Sequence, residues 1–305
     1  MTVVLQSTEL SKWFGEVVAL NNLDVSIGTG VTGLLGPNGA GKSTFIKLAL
    51  GIYTPSRGRI EVLGGPPHNN RHVLSRIGYC PETDTFFENM TGYEFVYWLN
   101  RHWGMYPREA RRAAEDAIEQ VHMTGRMHDP IDEYSMGMRQ RIKVAQALAI
   151  RPELLFLDEP MSGLDPQGRE EMYALVRRLG AQGLSVIVSS HILYEIERVT
   201  DNVVLLYRGS MLAHGRVRQI RELIDEHPHT ITVECANPRL VAGRFLEESD
   251  AMSVSFDDDN LTLRTRDPTA CYALLNTIAE EEPGQIRAIL CADDNLQAVF
   301  DYLTK

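Results

Sequence analysis

The chain has 305 residues, 44% hydrophobic and 23% charged, with a formal net charge of −11. That is the balance of a soluble globular protein with material for one large domain or two ordinary ones. No apolar stretch approaches the roughly 18 to 20 residues of a membrane-spanning helix. The start, Met1-Thr2-Val3-Val4-Leu5-Gln6, carries neither a basic leader nor a small-residue cleavage site, so a cytoplasmic location is expected. From Glu226 onward fifteen acidic residues stand against six basic ones, a net of −9 that leaves −2 for Met1 to Asp225. No nucleic-acid binding is expected of that acidic end. The four cysteines, Cys80, Cys235, Cys271 and Cys291, form no C-x-x-C pair and read as reduced core residues.

Val3 to Phe14 and Leu20 to Ile27 read as strands, broken at Gly15 and at Gly28-Thr29-Gly30. Strand Val31 to Leu35, a glycine-rich loop and a helix from Lys42 to Leu50 follow. Arg59 to Leu63 and Arg76 to Tyr79 are short strand candidates. Phe86 to Trp103 holds seven of the chain's 23 aromatic residues and opens what reads as a helical insertion. About half of those aromatics are expected to fill its core. Periodicity predicts helices from about Pro107 to His122 and from about Ser135 to Ile150.

Leu154 to Leu157 has the unbroken apolar character of a buried parallel strand, ending in Asp158-Glu159-Pro160. A helix starts after Asp165 as N-cap with Pro166 in its first turn. Leu184 to Val188 is the next buried strand, and Ser190 is expected to cap a helix from His191 to Val199. Val203 to Tyr207 and Met211 to Ala213 form a hairpin, and Arg216 to Asp225 a helix. From Thr230 the order reads strand, helix (Pro238 to Glu248), strand (Ala251 to Phe256), strand (Asn260 to Arg266), helix (Pro268 to Glu281), strand (Gln285 to Cys291) and helix (Leu296 to Leu303). This is the split βαβ, ferredoxin-like arrangement of an α+β domain, with a hairpin turn at Asp257 to Asn260. The expected organisation is a first domain over 1–225, with a helical subdomain over about 86–152, and an accessory domain over 229–305.

The chemistry is concentrated in Gly36-Pro37-Asn38-Gly39-Ala40-Gly41-Lys42-Ser43-Thr44, a phosphate-loop pattern in its required strand-to-helix setting. Its glycines let successive N–H groups turn inward around a phosphate, and the helix that follows points its positive end at the same anion. Lys42 is suited to the β- and γ-phosphates, Ser43 to Mg²⁺ and Thr44 to the phosphates. Asp158 and Glu159, next to each other after a buried strand, divide into a metal-side carboxylate and a proton acceptor for attacking water. His68 and His72 are spaced i, i+4, and His227 lies close to His229, but neither pair has a third ligand nearby, so solvated loop residues are the favoured reading.

Over about Val4 to Asp225 the sequence resembles the ATP-binding subunits of ABC transporters, of the P-loop NTPase class. Gly36 to Thr44 corresponds to Walker A and Leu154 to Pro160 to Walker B. Tyr134-Ser135-Met136-Gly137-Met138 falls at the signature, Ser162-Gly163-Leu164-Asp165 at the D-loop and His191 at the switch histidine. The resemblance implies an α/β ABC-type ATPase that uses ATP and Mg²⁺, with Glu159, His191 and Lys42 as its catalytic groups. It further implies that Phe14 stacks on adenine and that Glu82, Ser135, Gly137 and Asp165 line the nucleotide. Ser43, Asp158 and Glu82 would lie on the metal side. Met136 and Met138 depart from the commonest signature, Leu-Ser-Gly-Gly-Gln, and Glu82 stands where many members have glutamine, variants that look like an export-type branch. The implied partners are a second ATPase subunit, in an ATP-dependent homodimer or heterodimer, and a separate transmembrane permease holding the chain at the inner face of the membrane. The implied groove for the permease lies along Phe86 to Trp103. Two rival readings use the same motifs, a soluble ABC-class mechanoenzyme and a nucleotide-sensing regulatory module.

Overall fold

The computed structural model describes residues 2–222, 229–248, 251–257 and 260–291. Contacts divide the chain into two compact units, with the boundary between Arg216 and Val217. In the first, β1 (Val3–Phe14), β2 (Val17–Gly28) and β4 (Arg57–Val62) make an antiparallel sheet in the order β2-β1-β4. A six-stranded sheet is built from β3 (Val31–Leu35), β5 (Ile77–Cys80), β6 (Leu154–Leu157), β7 (Ser185–Ser190), β8 (Asn202–Tyr207) and β9 (Ser210–Arg216), ordered β5-β6-β7-β3-β8-β9. Every pairing in it is parallel except β8 with β9. Residues of β6 and β7 are buried throughout, which is why these strands carry continuous apolar runs instead of alternation.

The helices of this unit are α1 (Lys42–Ala49), α2 (Arg71–Leu74), α3 (Gly92–His102), α4 (Pro107–Gln120), α5 (Met136–Leu148), α6 (Pro166–Ala181) and α7 (Leu193–Glu197). One core runs through both sheets, with Leu5, Leu34, Phe45, Ile46 and Phe156 fully enclosed. Helices α3 to α5 form the insertion between β5 and β6. Helix α3 lies in the aromatic stretch, where periodicity did not mark a helix. Its start was nonetheless written in a capping box: Thr91 accepts from the Glu94 backbone while the Glu94 side chain takes the Thr91 N–H. Of the seven aromatics from Phe86 to Trp103, only Phe95 is buried, while Phe87, Trp98 and Trp103 are exposed, so fewer are core than expected.

The helix expected from His191 to Val199 is a correction. Only Leu193–Glu197 is helical and Ile192 occupies the cap position. Ser190 instead ends β7, accepting the Ile192 N–H at 3.0 Å and donating to buried Glu195 at 2.6 Å. That pair holds the turn containing His191 to the strand end.

The second unit contains α8 (Val217–Glu222), β10 (His229–Cys235), α9 (Pro238–Glu248), β11 (Ala251–Asp257), β12 (Asn260–Thr265), α10 (Pro268–Glu281) and β13 (Ile286–Cys291). Its sheet runs β11-β12-β10-β13, antiparallel throughout. Ile231, Val233, Phe245, Leu263 and Leu275 lie in a core of its own. The helix expected over 296–303, the turn residues 258–259 and His227 lie outside the described residues.

Candidate functional site

Strand order assembles the site. Strands β6, β7 and β3 are neighbours, so the residues just past their C-terminal ends share one crevice: the phosphate loop after β3, Asp158 and Glu159 after β6, and His191 after β7. The phosphate loop is held by backbone bonds, one of its own, Ala40 N–H to Pro37 O at 3.0 Å, and one from the β8–β9 turn, Gly209 N–H to Ala40 O at 3.1 Å. Gly41 precedes α1 with φ 106°, and a Cβ there would lie 2.5 Å from Leu20 Cδ2 and 2.7 Å from Ala19 O. Only glycine fits.

The same glycine leaves α1 with no side-chain cap, and no acidic residue stands in its first turn. By contrast, α3, α5 and α6 are capped by Thr91, Ser135 and Asp165. An uncapped helix start aims unsatisfied N–H groups and a positive dipole end at the loop, so this cradle fits a polyphosphate.

Lys42 is 6% exposed and donates to Gly36 O at 2.7 Å and Pro37 O at 3.4 Å. Its Nζ also lies 3.2 Å from Glu159 Oε1, while Glu159 Oε2 is 2.8 Å from His191 Nδ1. The acid therefore joins the lysine and the histidine. Glu159 has φ 48°, a left-handed conformation that costs a non-glycine residue on the order of 1 to 3 kcal/mol and clusters at functional sites. Ser189 sustains it: fully buried, its Oγ accepts the Glu159 N–H at 2.9 Å and donates to Asp158 Oδ1 at 2.6 Å. Ser189 was not singled out from the sequence, although two serines ending an otherwise apolar strand were a usable signal.

Asp158 is buried, and its N–H donates to Cys80 O at 3.0 Å, tying β6 to the end of β5, from which the Glu82 loop departs. Burial pushes the Cys80 thiol up to about 12, so it is no nucleophile. Burial raises the Tyr79 hydroxyl as well, with the negative charges of Asp158 and Glu82 adding to the effect. Ser43, Asp158 and Glu82 are oxygen donors of the kind a hard Mg²⁺ takes together with phosphates and water. Among the described residues no group of three or more His, Cys, Asp and Glu gathers as a metal cage, and Mg²⁺ bound this way needs none. His68 is engaged on both ring nitrogens, by Gly51 O and the Asn69 amide.

Phe14 is 43% exposed at the end of β1, edge-on to Tyr53 at 5.2 Å and with the Lys12 ammonium 5.1 Å from its ring. Tyr53 is an aromatic neighbour that the sequence did not point to. Ser135 and Gly137 sit at the start of α5, joined to Lys42, Glu159 or His191 by no hydrogen bond or ion pair among the described residues. Ser135 Oγ accepts from Met138 N at 3.3 Å, which leaves its O–H as a donor. Asp165 caps α6 through Gly168 N at 2.8 Å. Trp103 borders an apolar groove of about 340 Å³ with Ile52, Leu74, Tyr79, Pro81 and Ile150.

A phosphate loop, paired acids and a histidine on adjacent strand ends, with a helical insertion after β5, define a P-loop NTPase of the ABC type. The family model described as ABC transporter matches residues 20–162. A bacitracin transport ATP-binding protein of Enterococcus faecalis is 30% identical over 99% of this chain and 97% of its own length. A Nod factor export ATP-binding protein of Sinorhizobium fredii is 36% identical, over 78% of this chain and 69% of its own. The chain spans 64% of the length of an uncharacterized ABC transporter ATP-binding protein of Synechocystis, a little under two thirds. A solved ATP-binding subunit of an ABC transporter has a TM-score of 0.64 at 28% identity, covering 72% of this chain and 93% of its own. The chain belongs to the ABC transporter family, among its ATP-binding proteins. No helix among the described residues is long and apolar enough to cross a membrane.

Proposed function

We propose that this chain hydrolyses ATP as the motor subunit of a membrane exporter, acting on a separate transmembrane permease as an ATP-dependent homodimer or heterodimer. The observation that carries the reading is the Lys42–Glu159–His191 cluster beside an uncapped phosphate-loop helix. Export in particular is supported by the likeness to Nod factor export proteins.

In this reading Lys42 exchanges Gly36 O and Glu159 for the β- and γ-phosphates. One carboxylate oxygen of Glu159 then becomes available to accept a proton from water attacking the γ-phosphate. His191, on the other oxygen, orients that water and the γ-phosphate. Ser43, Asp158 and Glu82 would hold Mg²⁺, which when bound neutralises charge on the phosphates. Phe14 offers the adenine a partly exposed aromatic face. Ser135, Gly137 and Asp165 of one subunit close on the ATP of the other, and the groove beside Trp103 receives an apolar segment of the permease. This places the protein in the cytoplasm, peripheral at the inner membrane face.

Specific ATPase activity measured against protein concentration tests the shared site. It is expected to rise until dimers saturate. A specific activity independent of dilution would overturn the shared-site reading.

A further inference from the structure

Helix α5 does more than present Ser135 and Gly137. Two turns after Ser135, Lys143 is 4% exposed, an unusual place for a lysine unless it is paired. Its Nζ donates to Pro81 O at 3.2 Å and Glu82 O at 3.0 Å, and lies 2.7 Å from Asp84 Oδ1. All three ammonium protons therefore have acceptors on one short loop. One turn earlier, Gln140 donates to Cys80 Sγ at 3.6 Å, and Arg139 forms a two-pronged bond to Glu88 at 2.8 and 2.7 Å. Three side chains of one helix thus grip the segment from Cys80 to Glu88.

We propose that Lys143 is the positioning residue for Glu82, clasping its loop to α5 so that the Glu82 carboxylate is presented to the metal side of the site. The inference rests on the reading of Glu82 given above. Glu82 is exposed and its loop has no regular structure, so its backbone needs an external anchor. Lys143 supplies it at the Glu82 carbonyl itself. Because the anchor is on the signature helix, a shift of α5 also shifts Glu82. Partners that orient a metal-side carboxylate typically alter metal affinity about 10- to 100-fold when removed.

The test is the ratio of ATP affinity with Mg²⁺ to that without it, measured by calorimetry in an E159Q background so that ATP is not consumed. E82A, which removes the oxygen donor altogether, is expected to lower this ratio about tenfold, and K143M to do the same. E82A with K143M is expected to be no worse than E82A alone, since Lys143 acts through Glu82. D84N, at a 41% exposed side chain, takes away the counter-charge of Lys143 but keeps an amide oxygen to accept its third N–H, and is expected to give a smaller loss in the same direction. It also reads the clasp if K143M fails to fold. A normal ratio in D84N together with a normal ratio or no fold in K143M, beside a lowered one in E82A, overturns the clasp alone. Additive losses in the double variant overturn it too. A normal ratio in E82A overturns the reading of Glu82 and the clasp with it.

Discussion

Helices α1 and α5 each have a glycine at the start, Gly41 just before α1 and Gly137 as the second residue of α5, close to a proposed phosphate contact, yet the chain treats the two starts in opposite ways. At α1 the glycine is demanded from within: Gly41 has φ 106° and a Cβ would strike Leu20 and Ala19. That start has no cap of its own and leaves its N–H groups to an anion. At α5 the start is already capped by Ser135, and a Cβ on Gly137 would have nothing within 4 Å. Nothing inside this chain requires Gly137, and a helical glycine costs about 0.5 to 1 kcal/mol relative to alanine. One glycine serves this fold, and the other makes sense when a surface from outside comes close. This asymmetry is what a site shared between two subunits predicts.

The largest effect should come from the acid at the α1 end. E159Q is expected to lower steady-state phosphate release about 10²- to 10⁴-fold while equilibrium ATP binding persists. Substantial turnover would remove Glu159 as proton acceptor. G41A should destabilise the protein by about 1 to 3 kcal/mol in denaturant titrations and abolish ATP binding, because the new methyl has no space. S189A leaves the buried Glu159 N–H without its acceptor and Asp158 without its donor. A loss of about 1 to 3 kcal/mol, together with slower hydrolysis, is expected.

G137A carries the sharpest contrast with G41A. It should stabilise the fold by about 0.5 to 1 kcal/mol and yet reduce hydrolysis. If thermal denaturation and turnover move in the same direction, the comparison between the two helix starts fails.

The smallest effect lies away from both starts, where Arg76 holds Glu153 in a two-pronged bond just before β5 and β6. That bond keeps the Glu153 carboxyl below its ordinary range. Its contribution is therefore present above the ordinary carboxylate pKa of about 4.3 and lost as the pH falls through the depressed folded-state value. Glu153 is 56% exposed and solvent screens the pair, so at most about 1 kcal/mol is at stake. R76Q should flatten the decline of stability with acid and leave ATP turnover at neutral pH unchanged.

Much of the site could be read without coordinates because its chemistry is local. Loop Gly36 to Thr44 carries its own geometry, and Asp165-Pro166 starts α6 with cap and first turn as expected. Strands Val31 to Leu35 and Leu154 to Leu157 have the limits their apolar runs suggested. Helix α3 was missed because its aromatics masked the period, although Thr91 and Glu94 spelled out its start. The helix after β7 was drawn too long because Ser190 was read as a cap, whereas its hydroxyl is engaged with Ile192 and Glu195. Ser189 offered a signal only through its place at the end of an apolar strand, its partner being 31 residues away, and Lys143, with a partner 61 residues away, offered none.

The sequence by itself determined which groups are proposed to meet phosphate, because glycine freedom, a helix start and a lysine act within nine consecutive residues. It also marked Asp158 and Glu159 by placing two acids at the end of a strand too apolar to be exposed. Tertiary structure decided how these parts address one another. Only the order β6-β7-β3 brings Glu159 between Lys42 and His191, and only the packing of α5 against the end of β5 puts Lys143 beneath Glu82. Those pairings join residues far apart in the chain, and their energy appears only once the loops between them have been closed.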